Sequence, residues 1–283
     1  MTCPDSLEDN IMNKYGICEW LLPIPGPTSF KLAAHAGYDG VQMLDWGGRE
    51  NNYPLNLTWV QDTFRQAMDD NNICIQNLQL QSLVRSGGVK AAPDTAQGKA
   101  ALEDIRKGAE VCAALNIPNL QLENFFNSAI QNTEDIKNTA ELLKEAGKVT
   151  SDLGVQLVYE SWFDYSGTMD IYEMSGQSFK LCYDTLNPLR YHFGDPIKEL
   201  EQYDLSMLAF VHVKDAPAGC GYQGSWFLGQ GEGRINEAAA ILKKRGYKGW
   251  IVTENYYCMN PIGIIDPSKT IIEDLRTMHR LFD

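Results

Sequence analysis

Four polar side chains close apolar runs in the second half of the chain: Glu160 in VQLVYES, Asp184 in FKLCYDT, His212 in MLAFVHVKD and Glu254 in WIVTEN. Each stands immediately before a stretch that reads as a loop. A lone ionised carboxylate buried at a strand end costs several kcal/mol unless it is paired or bound to a metal. Taken singly, each residue has a plain explanation: His212 as a packed core histidine, each acid as a backbone cap or an ion-pair partner. Taken together they conflict, because three converging carboxylates repel one another and one imidazole cannot neutralise them. A divalent cation removes the conflict by setting two positive charges against three negative ones. Oxygen-rich ligation with one imidazole suits Mn²⁺ first, with Mg²⁺, Co²⁺, Zn²⁺ and Fe²⁺ also compatible.

Convergence of four strand ends requires a fold that points them at one place. Strand-like runs at 15–23, 40–44, 73–81, 119–125, 155–161, 179–185, 207–215 and 250–255 alternate with helical patterns at 28–37, 56–71, 95–115, 133–153, 168–176, 195–203, 235–246 and 267–282. Thr133, followed by Glu134 and Asp135, reads as an N-cap with acids in the first turn. Strict alternation argues for a parallel sheet, and eight units in 283 residues fit one closed (β/α)₈ TIM barrel, the α/β class. We place this single domain at 15–283, after an N-terminal tail at 1–14. An open doubly wound sheet is the alternative, but LLPIPGP after the first strand is not a GxGxxG turn. Barrel enzymes carry their chemistry at the C-terminal ends of the strands, where all four residues lie.

Composition narrows the partners. With 24 Lys and Arg against 37 Asp and Glu, the formal net charge of −13 repels phosphate backbones, so no nucleic-acid partner is expected. No apolar run approaches the roughly 20 residues needed to span a bilayer, so no membrane partner is expected either. MTCPDSLEDN lacks a basic region before an apolar core, and the seven cysteines form no CxxC pair. These features point to a reducing, cytoplasmic setting.

The motifs VYES, CYDTLN, FVHVKD, FLGQGEGRIN and GYKGWIVTEN, in this order, resemble the xylose isomerase-like barrels, specifically the sugar phosphate isomerase/epimerase family. That family includes ketose 3-epimerases, hydroxypyruvate isomerase and inosose isomerases, and the resemblance runs over nearly the whole chain. It implies that Glu160, Asp184, His212 and Glu254 bind a divalent metal, most commonly Mn²⁺. It also implies that Glu160 and Glu254 serve as the acid/base pair, that 228–236 line the site, and that copies associate as homo-oligomers. Three positions depart from the ketose epimerases. Asn187 stands where a histidine is usual, Ala218 where an arginine is usual, and Ser166 where a substrate-binding glutamate is usual. These departures argue against a D-tagatose- or D-psicose-type substrate and leave the metal set intact.

The implied activity is isomerisation or epimerisation of a small carbohydrate, a sugar or related polyol ketone, through a metal-stabilised enediolate. A lyase that dehydrates or opens a keto-glycoside is the alternative, because it shares that enediolate. An apurinic-site endonuclease of the same superfamily needs more histidines than the four present and a basic face. A purely carbohydrate-binding module has no need of the glutamate pair. Weaker substrate candidates are Lys214, two residues beyond His212 on the same face, the rim aromatics Trp46 and Trp162, and Gln79, Gln81, Glu123, Asn187, Arg190 and His192. Lys214 has a competing role as the partner of Asp215 or another rim acid. His35 and His279 fall in helical patterns and read as solvated or structural.

Overall fold

The computed structural model describes residues 12–217, 219, 226–259 and 262–283. Eight parallel strands close in sequence order: β1 (Lys14–Cys18), β2 (Gly40–Leu44), β3 (Cys74–Gln79), β4 (Asn119–Glu123), β5 (Gln156–Glu160), β6 (Lys180–Asp184), β7 (Leu208–Val213) and β8 (Trp250–Thr253). β8 pairs back onto β1 through Lys14↔Trp250 to Ile17↔Thr253, which closes the barrel. Among the described residues ten α-helices accompany them: α1 (Pro27–Ala36), α2 (Thr58–Asn71), α3 (Gln81–Ser86), α4 (Ala96–Leu115), α5 (Thr133–Asp152), α6 (Tyr165–Met174), α7 (Asn187–Arg190), α8 (Pro196–Gln202), α9 (Ile235–Lys244) and α10 (Pro267–Phe282). Among them α3 and α7 are short additions inside loops at the C-terminal rim.

Alternation along each strand sorts the side chains. Leu120 and Leu122, Leu157 and Tyr159, and Val211 and Val213 face outward into the core shared with the helices. On the inner side Cys18, Val158, Cys182, Phe210 and Val252 form a small apolar floor, with Trp250 packed against it. Glycines make room for that floor: a Cβ on Gly40 would stand 2.7 Å from the Trp250 ring. Polar side chains therefore accumulate one layer higher, toward the C-terminal rim.

Several boundaries differ from the sequence expectation. The first strand ends at Cys18 and turns into a 3₁₀ segment, Glu19–Leu21. The third ends at Gln79, so Gln81 opens α3 and is not a strand residue. Lys214 and Asp215 lie just past β7, and Glu254 just past β8. Asn132, not Thr133, caps α5, accepting from Asp135 N at 3.0 Å. Asp164 caps α6 at 3.0 Å and starts it at Tyr165, earlier than its apolar pattern implied. Asn13 and Lys14 belong to the barrel and not to a tail: Asn13 is buried, donating to Phe282 O at 3.0 Å and accepting from Gly249 N at 3.2 Å. The remainder of the expected tail, 1–11, lies outside the described residues, as does Ala218.

Two buried carboxyls away from the rim cluster make stability depend on pH. Glu19 accepts from Gly26 N at 2.7 Å, and Glu199 accepts from the Tyr183 hydroxyl at 3.4 Å. Burial pushes Glu19 up to about 7 and Glu199 up to about 8, from an ordinary value of 4.5. The folded chain thus keeps protons that the unfolded chain has released. Their contribution is complete below pH 4.5 and is lost as pH rises through 7 to 8. Denaturant melts between pH 5 and 8 should show falling stability, with a visibly shallower slope in Glu199→Gln. An unchanged slope in that variant would refute the assignment.

Candidate metal centre and active site

Closure of the barrel brings the four strand-end residues together. His212 Nδ1 lies 3.8 Å from Glu160 Oε2, 3.9 Å from Asp184 Oδ2 and 3.7 Å from Glu254 Oε2. The ligand atoms of Asp184, His212 and Glu254 all lie within 4.8 Å of one another, as do those of Glu160, Cys182 and His212. His212 is fully buried, and its Nδ1 has no hydrogen-bond partner among the described residues. Its Nε2 is 2.7 Å from Gln42 Oε1, an acceptor only. Nε2 must therefore carry the proton, which leaves the Nδ1 lone pair facing three carboxylate oxygens. Burial holds the imidazole below its ordinary range, so the ring is neutral and able to ligate.

These residues fit a divalent cation. The gaps around Nδ1 are too long for hydrogen bonds and slightly wider than the roughly 3–3.5 Å between two ligands that each stand about 2.1 Å from a shared ion. Charge gives the same answer. Lys214 Nζ lies 2.8 Å from Asp184 Oδ2, in a geometry that leaves this oxygen without a hydrogen bond, and also pairs with Glu254. One ammonium leaves three carboxylates with two uncompensated charges, which a divalent ion cancels. Burial would push Asp184 up, but Lys214 and His212 hold it below the usual carboxylate range. Burial lowers the Lys214 ammonium, and the fields of Asp184 and Glu254 outweigh it and hold the group well above its ordinary value.

The surrounding hydrogen bonds aim the ligands. Asp184 Oδ1 accepts from Leu186 N and Asn187 N, each at 2.7 Å, which starts α7 and frees Oδ2 for the centre. Glu160 receives Gln121 Nε2 at 2.9 Å on one oxygen and Asn187 Nδ2 at 2.7 Å on the other. Gln42 Nε2 donates to Gln121 Oε1 at 2.7 Å, linking the histidine to the glutamate across the barrel. Glu123 is paired with Glu160 in the β4–β5 register, so the two buried carboxyls lie side by side. Burial, then the Glu254 charge, pushes Glu123 up to about 8, and burial with neighbouring acids raises Glu160 as well.

Sequence reasoning missed Gln42 and Gln121. A glutamine inside an apolar strand was the available signal. Fixing the ring tautomer is the role such a partner plays for a metal-bound histidine. Gln42→Leu should weaken Mn²⁺ affinity about 10–100-fold, measured by titration calorimetry. Wild-type affinity in that variant would show that Gln42 does not orient His212.

The other candidates are placed unevenly. Lys214 is buried at the centre, and its partners are Asp184 and Glu254 rather than Asp215. Asp215 is already engaged: its carboxylate accepts from Ala216, Gly229, Gly231 and Gly233 N at 2.8–3.0 Å. A Cβ on Gly233 would stand 2.7 Å from Asp215 Oδ1, so the glycine-rich 228–236 segment wraps this carboxylate, which adjoins Lys214. Asn187 touches Glu160 directly. Gln79 accepts from Gln42 at 3.3 Å and donates to Gln81 at 2.9 Å. Trp162 stacks on Tyr191 with centroids 4.4 Å apart and meets the edge of Phe125 at 5.0 Å, an aromatic wall at the rim. Trp46 is 38% exposed and packs over Gly26. Ser166, His35 and His192 are exposed, with His192 in a left-handed turn at φ 58°. His279 lies on α10, against Tyr15 and Asp283.

An eight-stranded parallel barrel whose C-terminal rim gathers three carboxylates, an imidazole and an ammonium defines the molecule as a (β/α)₈ barrel with a cation-compatible rim site. The family model described as xylose isomerase-like TIM barrel matches residues 30–281, and the chain belongs to that family. It is 27% identical over 231 residues to 2-epi-5-epi-valiolone 7-phosphate 2-epimerase from Actinoplanes sp., covering 81% of this chain and 82% of the relative. Among solved structures it resembles D-psicose 3-epimerase with D-tagatose from Clostridium cellulolyticum H10. There the TM-score is 0.74 and the identity 14%, over 95% of this chain and 99% of the other. It also resembles the IolI protein solved with a zinc atom, with a TM-score of 0.73 and 14% identity over 95% and 98% of the two chains. At these identities the structural likenesses establish the fold.

Proposed function

We propose that this protein is a divalent-cation-dependent epimerase or isomerase acting on a polyhydroxylated ketone, a sugar or a cyclitol. The observation that carries this reading is the buried Nδ1 of His212, without a hydrogen-bond partner among the described residues and facing three carboxylate oxygens at 3.7–3.9 Å. Glu160, Asp184, His212 and Glu254 would hold the ion, which when bound supplies Lewis-acid polarisation of a substrate carbonyl. The chain's own part is proton transfer. Glu160 and Glu254 approach the same point from β5 and β8, so one can take the proton beside the carbonyl while the other returns it. Return to the same carbon from the opposite face is epimerisation, and return to the neighbouring carbon is isomerisation. Lys214, paired to Asp184 and Glu254, holds both carboxylates in place. The relative from Actinoplanes, named as a 2-epimerase of a valiolone phosphate, supports a cyclic ketone among the substrates to be tried.

The test is solvent-deuterium incorporation into a panel of ketoses and cyclitol ketones, with chelated protein and after adding Mn²⁺. Exchange that appears only with metal is expected. Exchange in the chelated protein, or none with any panel member, would overturn the reading. Elimination of a substituent in place of exchange would identify a lyase.

A further inference from the structure

The same mouth holds a cation that the proton-transfer chemistry does not use. Arg190 ends α7, the short helix whose first turn is tied to Asp184 Oδ1, so its backbone position is fixed by a residue of the centre. Its side chain is half-buried. Its guanidinium carbon lies 5.1 Å over the Tyr191 ring, and Tyr191 in turn stacks on Trp162. Nη1 donates to the Tyr256 hydroxyl at a long 3.4 Å. Trp162 stands two residues past Glu160 and Tyr256 two past Glu254, so this group stands beside the centre.

Arg190 pairs with no carboxylate among the described residues. The stretches after β7 and β8 outside that description, 218, 220–225 and 260–261, contain no Asp or Glu. A guanidinium carries five donors in a planar fork that matches two oxygens of one anion, and here nearly all are unspent. Charge adds to the case. With a divalent ion bound, the three carboxylates, Lys214 and the ion balance, and Arg190 leaves the mouth positive on a chain of net charge −13.

We propose that Arg190, backed by Tyr191 and joined by the Tyr256 hydroxyl, is an anion subsite. It would take a phosphate monoester or carboxylate carried by the substrate away from its reacting carbons, and would set the preference for charged over neutral ketones. This rests on the proposed function and names the substrate class within it. It also supplies a substrate contact independent of the positions where Asn187, Ala218 and Ser166 depart from the ketose epimerases.

The test is calorimetric binding to Mn²⁺-loaded wild type, Arg190→Gln and Arg190→Lys. The probes are D-fructose, its 1- and 6-phosphates, and D-fructuronate. Wild type should bind at least one anionic probe about tenfold or more tightly than fructose, in keeping with charge-assisted hydrogen bonds. A phosphate winner and a carboxylate winner both support the subsite and tell the two anions apart. Arg190→Gln should erase the preference, and Arg190→Lys should keep part of it, since a lysine retains charge without the fork. If the glutamine variant does not fold, a preference in the lysine variant equal to wild type overturns the proposal. So does an absent preference in wild type, or one that survives in a folded Arg190→Gln. Deuterium exchange keeps this separate from the parent reading. Metal-dependent exchange without anion preference sinks only the subsite, whereas an Arg190-dependent preference without exchange sinks only the epimerase reading.

Discussion

Glu254→Gln should fold like wild type and lose metal-dependent deuterium exchange by about 10²–10⁴-fold, the range set by removing a positioned general base. Glu254 is the better of the two glutamates to test because its side chain is 16% exposed against 5% for Glu160, so it is the one a substrate reaches first. Glutamine keeps the volume and can still accept from Lys214, which preserves the packing while removing the basic oxygen. Circular dichroism and the thermal midpoint check that the fold is kept, and the exchange assay checks the chemistry. Wild-type exchange rates in a folded Glu254→Gln would refute its role as proton acceptor.

Lys214→Met should cost the metal-free protein about 3–5 kcal/mol, the expected penalty for removing one partner of a buried ion pair. Among the described residues Lys214 is the one ammonium paired to both Asp184 and Glu254, and Asp184 is held low chiefly by that charge acting against burial. Methionine fills the space but leaves three converging carboxylates without a cation. Adding Mn²⁺ should recover much of the loss, because an ion bound to the native state stabilises it and supplies the missing charge. Denaturant melts with and without Mn²⁺ measure both numbers. An equal deficit in the two conditions would mean that the carboxylates do not share a cation site.

Much of this centre was legible in residue order. Period-two alternation put Glu160, Asp184, His212 and Lys214 on one side of their strands, and eight alternating units required a barrel to hold those strand ends together. The reading failed where the partner of a side chain was decided by closure. Lys214 was weighed as a partner of Asp215 or another rim acid, and adjacency in sequence could not choose between them. The structure spends Asp215 on four backbone N–H groups and sends Lys214 to acids on β6 and just past β8. Gln81 was read into β3, and α3 claims it because the strand ends two residues earlier.

From the sequence alone came the fold class and the four strand-end residues that the barrel gathers. Each follows from local periodicity, which needs no knowledge of what packs on what. The tertiary structure alone decided the histidine tautomer, the link from Gln42 through Gln121 to Glu160, and an Arg190 guanidinium with no carboxylate partner among the described residues. Gln42 reaches His212 across 170 residues of chain. No spacing rule carries a contact of that separation, because ring closure and the energetic need to satisfy buried polar atoms set it.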